Sequence, residues 1–464
     1  MNPLLTNMKT LDEELAEYAV RLNFEELPAP VVHEVKRRVI DSIGCALGAW
    51  EAEPCVIARR VASRFSAERG ATLLGTTHQA PADWAAFANG CLVRYLDYND
   101  TYLSKEPAHP SDNISAALAV AEAENAGGRE FIVAIVLAYE VQCRLCDTAS
   151  LRARGWDHVT YGAFSTALAA ARLMRLDVER TRHAVGIAGV ASAALRQSRV
   201  GKLSHWKGCA FSNAARHGVF AALLAREGMT GPAPIFEGEK GFQALVSGPL
   251  EARVGEWGKS LGGDFIILKT SIKFWPAEYH AQSAIEAALK LRPQIGDTAQ
   301  IESVLVESHD AAVDIIGSES EKWRPTSRET ADHSLPYIVA VALADGEVTA
   351  KQFEPARVAD PALLALVQRV KVQRHAELSA RYPQAVGNIV TVRLLDGRTL
   401  RERVDYPRGH AENPLSDVEV EAKFHARADP RLGTERADAV LRWLWRLDEA
   451  LDGSALISLL KMSN

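Results

Sequence analysis

The sequence has few cysteines and no long hydrophobic run. Its six cysteines are spread over 464 residues, and no apolar segment typical of a secretory signal precedes them. The longer apolar stretches, such as Val185–Leu195, are too short to cross a bilayer. These absences predict free thiols in a reducing compartment, a cytoplasmic location and no membrane partner.

The sequence also lacks the motifs of several enzyme classes. It has no glycine-rich dinucleotide turn, no P-loop and no G-x-S-x-G nucleophile turn. His33-Glu34 begins like a zinc motif without its second histidine, and Cys143 and Cys146 form a single pair that suits a helix core. Nucleotide-dependent, serine-hydrolase and zinc chemistries are therefore disfavoured.

The charge balance is slightly acidic. The chain has 53 basic and 59 acidic residues and a formal net charge of -6, which argues against nucleic acid as a partner. With 47% hydrophobic and 24% charged residues, the composition is that of a globular protein long enough for two domains.

The spacing of apolar residues predicts a mainly α fold. Alanine-rich segments with helical spacing follow one another over the first part of the chain, for example Phe131–Cys146, Tyr161–Leu173 and Val185–Leu195. Further on, Ile301–Ser308 and Asn388–Leu394 alternate apolar and polar residues as half-buried strands do. A turn at Asp396–Gly397 then predicts a hairpin.

These patterns divide the chain into three parts. We predict a large all-helical domain over residues 1–270 and a smaller α+β lid domain over residues 271–405. Residues 406–464 are predicted to form C-terminal helices that return to the helical domain. Within the lid domain, Pro336–Ala344 and Pro361–Val370 are predicted to be helical.

Ionisable residues gather in a loop that ends in a His-Pro dipeptide. Asp97 and Thr101 are followed by His109, and Ser111 or Asp112 is placed to cap the next helix. The free N–H groups at that helix start suit a carboxylate, and His109 is suited to proton exchange near neutral pH. A capped loop with a structural histidine is the alternative.

Two further segments place ionisable residues before alanine-rich helices. His158 falls in the first turn of one helix, where the helix dipole disfavours its cationic form unless an anion binds. Arg196 to Lys207 carries four cations and one histidine within twelve residues, and Arg and Lys are natural ligands of carboxylates. A surface histidine and a solvated basic loop are the alternatives.

Two more segments lie near the predicted junction of the domains. Lys273 to His280 stands at the junction itself, and Asp332 to Tyr337 leads into a helix that faces it. Pockets prefer such junctions, although each segment alone also suits a structural role.

The segments LDYNDTYLSKEPAHPSDN, KFWPAEYHAQ and ADHSLPY resemble the MmgE/PrpD family, and the resemblance covers nearly the whole chain. That family includes 2-methylcitrate dehydratases, cis-aconitate decarboxylases and an iminodisuccinate epimerase. The resemblance implies an active site between a helical domain and an α+β lid, a homodimer, and no metal or organic cofactor.

The resemblance also assigns site residues. It implies catalytic roles for His109, Asp97, Lys273 and His158. It implies substrate binding by Thr101, Lys207, His280 and Tyr337, to which the basic segment adds Arg196. No residue is expected to bind a metal.

The expected reaction is elimination of water from 2-methylcitrate, with citrate as a second substrate, in propionate catabolism. Loss of a proton beside an ionised carboxylate builds negative charge that cations must neutralise, and the leaving hydroxide needs a general acid. We assign His109 as the principal acid–base group and Asp97 as its orienting partner.

Other functions remain open from the sequence alone. Decarboxylation of cis-aconitate or epimerisation of a related dicarboxylate would use a similar pocket. A metallohydrolase could use Asp97, Asp100, His109 and His158 as ligands, and a non-catalytic helical scaffold is a further class.

Overall fold

The chain folds mainly into helices, which confirms the predicted fold class. The computed structural model describes residues 9–258 and 264–462. None of the helices in these ranges is both long enough and apolar enough to span a membrane. The α-helices are α1 (Leu11–Arg21), α2 (Ala29–Gly48), α3 (Glu53–Ala62), α4 (Ala82–Tyr95), α5 (Asn113–Ala123), α6 (Gly128–Thr148), α7 (Val159–Leu173), α8 (Val178–Ala191), α9 (Trp206–Arg226), α10 (Gln282–Leu291), α11 (Asp310–Ile316), α12 (Arg328–Ala331), α13 (Leu335–Asp345), α14 (Pro355–Val358), α15 (Pro361–Val367), α16 (Ala376–Arg381), α17 (Asp417–Leu432), α18 (Thr434–Trp445) and α19 (Ser454–Leu460).

The strands are few and short. Within residues 9–258 and 264–462, four of them form two small antiparallel ladders in the helical part, and the other four form one mixed sheet. They are β1 (Ala71–Thr72), β2 (Gln79–Ala80), β3 (Asp100–Thr101), β4 (Ser271–Ile272), β5 (Ile301–Ser308), β6 (Val370–Arg374), β7 (Asn388–Leu394) and β8 (Thr399–Val404).

The helical part has one hydrophobic core. Its buried side chains extend from Leu11 to Ile272, and others come from the C-terminal helices between Leu415 and Leu460. Within it, α7 and α9 pack closely where Gly162 of α7 meets Phe211 of α9, and a Cβ on Gly162 would lie only 2.3 Å from the Phe211 ring. Gly162 lies four residues after His158, and Phe211 lies four residues after Lys207, so the contact is one helical turn from each of these two residues.

Residues from Trp275 to Val404 form a second core against the mixed sheet. The strand order is β6-β5-β7-β8, with β5 parallel to β6 and the other two pairs antiparallel. β7 and β8 form the predicted hairpin, in which Gly397 has a φ of +89° as its turn requires. The two cores therefore divide the chain between residues 272 and 275, and again between residues 404 and 415.

The prediction of a helix over Pro361–Val370 is wrong at its C-terminal end. α15 ends at Val367, and Val370–Arg374 forms the edge strand β6. Only the first residue of β6 is buried, so its side chains lack the clear alternation that reveals a strand.

The predicted helix Val185–Leu195 also has different limits in the structure. α8 covers Val178–Ala191, and Asp177 begins it by accepting a hydrogen bond from the Arg180 N–H at 2.8 Å. The prediction followed the apolar residues and so missed a polar first turn.

The C-terminal helices pack against the first core, where α17 lies on α2. Lys423 of α17 is buried, and its ammonium donates to the carbonyls of Tyr98 at 2.7 Å and Lys273 at 2.8 Å. It also forms a salt bridge with Asp41, with an N–O distance of 2.6 Å. Lys423 thus connects the C-terminal helices to two distant segments of the chain.

We predict that Gly162→Ala destabilises the helical domain, because the added methyl group overlaps the Phe211 ring. Overpacking of this kind costs roughly 1–3 kcal/mol. The free energy of unfolding should fall, as measured by a lower midpoint in thermal or urea denaturation. Gly453→Ala is the matched control, since its Cβ would meet no atom within 4 Å. Equal midpoints for the two variants would contradict the prediction.

Candidate active site

A cavity lies between the two hydrophobic cores. Water molecules can occupy about 60 Å³ of it. Both domains contribute to its wall, which combines four histidines with several cations. The lining residues are Arg94, Asp97, Thr101, Leu103, Pro107, His109, His158, Arg196, Arg199, Leu203, Lys273, Glu278, Tyr279, His280, Ile315, Lys322 and His333.

A short ladder brings two predicted site segments together. β3 pairs antiparallel with β4, with Thr101 opposite Ser271. Asp97 precedes β3 and Lys273 follows β4, so the pairing places their side chains side by side. The Lys273 Nζ lies 2.6 Å from the Asp97 Oδ1 and 3.0 Å from the Asp97 carbonyl oxygen.

The Asp97 carboxylate is buried and is surrounded by three cations. Arg94 and Lys273 donate to its Oδ1, and the Lys207 Nζ lies 3.2 Å from its Oδ2. Burial alone would raise the pKa of Asp97, but Arg94, Lys207 and Lys273 together hold it well below its ordinary value. Asp97 is therefore a permanent anion, and its φ of +50° is one that an aspartate tolerates.

Asp97, Asp332 and His333 place three potential metal ligand atoms within 4.8 Å of one another. The Lys207 Nζ already lies 3.2 Å from an oxygen of each aspartate. The His333 Nδ1 lies 2.7 Å from the Asp332 Oδ1, and burial, followed by Lys207, lowers the pKa of His333 to about 4. The carboxylates are thus neutralised by protein cations, and a divalent metal would have to displace Lys207.

His109 is oriented by its own loop. Its Nδ1 lies 2.7 Å from the Asp100 carbonyl oxygen and 3.0 Å from the Thr101 Oγ1. A carbonyl oxygen only accepts, so Nδ1 carries the proton and Nε2 keeps its lone pair in the neutral ring. Burial, helped by Arg94 and Lys273, lowers the pKa of His109 well below its ordinary value. His109 is therefore a neutral base at pH 7.

His158 has the same tautomer for a different reason. Its Nδ1 lies 2.9 Å from the Asp157 Oδ1, and the other oxygen of Asp157 accepts from Ser198 and from Arg199 at 2.9 Å. Among the described residues, its buried Nε2 has no hydrogen-bond partner, and its ring centroid lies 5.9 Å from that of His109. Burial, against the opposing effect of Asp157, lowers the pKa of His158 to about 4.

His280 is fixed from the side of the second domain. Its Nδ1 lies 2.7 Å from the Glu278 Oε1, and its Nε2 lies 3.3 Å from the Tyr382 hydroxyl. Burial would raise the pKa of Glu278, but His280 outweighs it and the pKa of Glu278 is about 2. A rigid histidine–carboxylate pair therefore forms this wall of the cavity.

The structure brings most of the predicted site residues together. Lys207 lies behind Asp97 rather than on the cavity wall, and so acts through its ion pairs. The predicted residues that line the cavity are Asp97, Thr101, His109, His158, Arg196, Lys273 and His280.

Tyr337 does not reach the cavity, and its predicted role in substrate binding is not supported. It is fully buried in the second core, and its hydroxyl donates to the Gln352 carbonyl at 2.5 Å. The reason lies at the start of α13, where the Ser334 Oγ accepts from the Tyr337 N–H at 3.1 Å. The helix therefore begins before Tyr337 and turns it inward, while His333, just ahead of the cap, faces the cavity.

The helix start after His109 is also not free for a substrate. The Ser111 N–H donates to the Asp100 Oδ1 at 2.9 Å, and Asp112 makes no side-chain cap. The Asp100 carboxylate therefore accepts the hydrogen bond from the Ser111 N–H that was expected to bind the substrate.

Several site residues escaped the sequence analysis. Asp157 and Glu278 each stand within two residues of a predicted histidine, and an acid so close to a histidine is a signal that could have revealed them. Arg94 lies within α4, and its Nε and Nη2 are buried without hydrogen-bond partners among the described residues. Arg94 precedes Asp97 in the same polar cluster, whereas nothing in the sequence around Lys322 separates it from an ordinary surface cation.

Two family models match the chain. The MmgE/PrpD N-terminal domain matches residues 13–254, and the MmgE/PrpD C-terminal domain matches residues 275–447. The chain belongs to the MmgE/PrpD family. The second match includes most of the C-terminal helices of this MmgE/PrpD protein, although their apolar side chains pack in the first core.

Several proteins of known activity are similar to this MmgE/PrpD member. The 2-methylcitrate dehydratase of Cupriavidus necator is 30% identical over 455 residues, which cover 92% of each chain. That of Escherichia coli K12 is 28% identical over 445 residues, or 89% of each chain. The cis-aconitate decarboxylase of Homo sapiens is 26% identical over 469 residues, 98% of this chain and 95% of its own.

These relationships also decide the class of protein. This MmgE/PrpD member is an enzyme, a carbon–oxygen lyase of the hydro-lyase class. The metallohydrolase and the non-catalytic scaffold are set aside.

We predict that His158 stays neutral well below the ordinary range of a histidine. A lowered pKa means that the neutral ring persists as the pH falls, so protonation should occur near pH 4 rather than near pH 6.5. NMR titration of histidine-labelled protein measures this, with the His158 signal identified by its loss in His158→Gln. Protonation of His158 between pH 6 and 7 would contradict the prediction.

We further predict that Asp157→Asn changes the tautomer of His158. The variant removes the carboxylate that holds the Nδ1 proton, so the population with the proton on Nε2 should rise. Nitrogen-15 correlation spectra report the tautomer directly. Ser198→Ala is the control, because it removes a hydrogen bond to Asp157 but keeps the carboxylate facing His158. An unchanged tautomer in Asp157→Asn would refute the assignment.

Proposed function

We propose that this hydro-lyase converts 2-methylcitrate to 2-methyl-cis-aconitate, and citrate to cis-aconitate, without a metal. One observation carries the proposal. Two histidines, His109 and His158, have their Nδ1 protons fixed by protein acceptors and their rings held neutral beside a cavity rich in cations. The names of the bacterial relatives supply the substrate.

The first chemical step removes a proton from the carbon next to a carboxylate. His109 Nε2 takes this proton, the C–H electron pair forms the double bond, and hydroxide leaves the neighbouring carbon. The imidazolium of His109 then gives its proton to the hydroxide, which departs as water. The lowered pKa of His109 makes its imidazolium a strong acid, which suits this second transfer.

Neutral His109 is a weak base, and the proton on the carbon next to the carboxylate is only weakly acidic, so its removal requires stabilisation of the charge that develops. Negative charge grows on the substrate carboxylate as the proton leaves, so cations fixed beside it stabilise the transition state. Within the described residues the Arg94 Nη2 has no hydrogen-bond partner and its Nε has only a long contact of 3.7 Å to the Asp112 Oδ2, and Lys273 and Arg196 line the same cavity. Asp97 holds Arg94 and Lys273 in place, and it acts as their counter-ion rather than as a proton carrier.

Metal independence is supported by the chemistry of the aspartate pair. Asp97 and Asp332 share Lys207, so their charge is already balanced by a protein ammonium group. A divalent ion would face the positive charges of Arg94 and Lys273 at short range. The elimination needs no Lewis acid if these cations stabilise the carboxylate beside the departing proton.

A second candidate is decarboxylation of cis-aconitate. The human relative of that name matches almost the whole chain, and a histidine beside a cation-rich cavity would, in its protonated imidazolium form, also serve to protonate a carbanion. Released carbon dioxide distinguishes this reaction from dehydration.

The family resemblance and the cysteines bear on the assembly, location and pathway. We propose a homodimer in the cytoplasm that acts in propionate catabolism. The proposal rests on the family resemblance and on the six free and buried cysteines, which fit a reducing compartment.

We predict that the purified enzyme forms an unsaturated product from 2-methylcitrate, detected by ultraviolet absorbance and mass spectrometry, and releases no carbon dioxide from cis-aconitate. Exhaustive chelation should leave the rate unchanged. His109→Gln should lower kcat by roughly 10²- to 10⁴-fold, because it removes the general base.

The control for His109→Gln is His205→Gln, since His205 is exposed and does not line the cavity. Near-normal turnover by folded His109→Gln would show the assignment to be wrong. Activity that is lost on chelation and restored by a metal would refute metal independence.

A further inference from the structure

Most cations of the cavity wall are already paired with a carboxylate of the protein. Arg94 and Lys273 pair with Asp97, and Arg199 pairs with Asp157. Two cations of the wall differ. Arg196 has no ion pair or side-chain hydrogen bond within residues 9–258 and 264–462, and Lys322 has a single long one.

Lys322 is a buried lysine with poor pairing. Only 2% of its surface is exposed, and its Nζ lies 3.4 Å from the Glu319 Oε2, its one salt bridge within the described residues. Glu319 itself is one-third exposed. An ammonium has three N–H donors and is costly to bury without acceptors. Because Lys322 lines the cavity, a ligand anion is the natural partner for the remaining donors.

The main chain holds Lys322 in place. The Ser334 Oγ donates to the Lys322 carbonyl oxygen and also caps α13, and the Lys322 N–H donates to the Glu319 carbonyl at 3.0 Å. This segment is therefore fixed to the helix that carries the second core. A lysine held in this way is preorganised to bind, since its backbone gives up no further freedom when a ligand arrives.

Glu319 also connects the segments that carry these two cations. Its Oε1 accepts from the Gly201 N–H at 3.4 Å, and Gly201 follows the short 3-10 helix Arg196–Arg199. The basic loop of the helical domain and the Lys322 segment of the second domain thus meet at Glu319. His109 and His158 belong to the helical domain, so an anion bound by Lys322 spans the junction between the domains.

We propose that Lys322 is a specificity-determining residue: it binds, together with Arg196, the carboxylate by which a tricarboxylate differs from a dicarboxylate. The inference rests on the proposed function for its substrate class. The elimination itself uses one carboxylate beside the departing proton, and the remaining carboxylates serve recognition. Each needs a cation that no protein carboxylate has already neutralised, and within the described residues that line the cavity Arg196 and Lys322 meet this condition best.

The test compares binding of two unreactive ligands by calorimetry. Tricarballylate has three carboxylates and no hydroxyl group to eliminate, and glutarate has two carboxylates on a chain of similar length. Lys322→Met should weaken tricarballylate by roughly tenfold or more, because a charge-assisted hydrogen bond is lost, and should change glutarate binding by less than about twofold. The preference for the tricarboxylate should therefore collapse.

Two further variants test whether the effect depends on the charge of residue 322 and on its position. Lys322→Arg keeps the charge and should keep most of the preference. Lys371→Met removes an exposed lysine of β6 in the same domain and should leave both affinities unchanged. Equal weakening of both ligands in Lys322→Met, no weakening of either, or no binding of tricarballylate to the unaltered enzyme would overturn the proposal.

The test also separates this proposal from the proposed function. If the enzyme fails to dehydrate 2-methylcitrate but its tricarballylate preference depends on Lys322, the dehydratase assignment is wrong and the role of Lys322 holds. If dehydration is normal and Lys322→Met keeps the preference, the role of Lys322 is wrong and the dehydratase assignment holds.

Discussion

The buried carboxylate of Asp97 is the interaction on which the site depends. A buried charge without partners costs several kcal/mol, and removal of one member of a buried pair typically costs about 3–5 kcal/mol. Asp97 collects its partners from three separate parts of the chain, namely Arg94 in α4, Lys207 in α9 and Lys273 after β4. The helical packing, the β3–β4 ladder and the domain junction must therefore all form before this charge is satisfied.

Charge and proton transfer are assigned to different groups in this cavity. The carboxylates of Asp97 and Asp157 have pKa values held well below the ordinary range, so they stay ionised and orient their neighbours. Burial lowers the pKa values of His109 and His158, so these rings stay neutral. The permanently ionised carboxylates fix the geometry, and the neutral histidines are available to accept and return protons.

Local patterns predicted most of the helices and the β5 and β7 strands, and together with the family resemblance they predicted seven of the residues that line the cavity. Periodicity and ionisable residues ahead of helices are visible in a single sequence, and they located His109 and His158. Long-range pairing is not visible. Lys423 reaches Tyr98 and Lys273 from the far end of the chain, and β6 is recognisable only through its partner β5. Tyr337 was misplaced because a helix cap, which no apolar pattern reports, set its direction.

The position of Lys423 has a consequence for how the protein is made. A ribosome releases the chain from its N-terminus, and Asp97, His109, His158 and Lys273 all emerge long before α17. The carbonyls of Tyr98 and Lys273 on either side of the Asp97–Lys273 contact gain their ammonium donor only when Lys423 arrives. A nascent chain therefore contains these acids and bases before Lys423 can bind the two carbonyls. We expect catalytic competence only after synthesis is nearly complete.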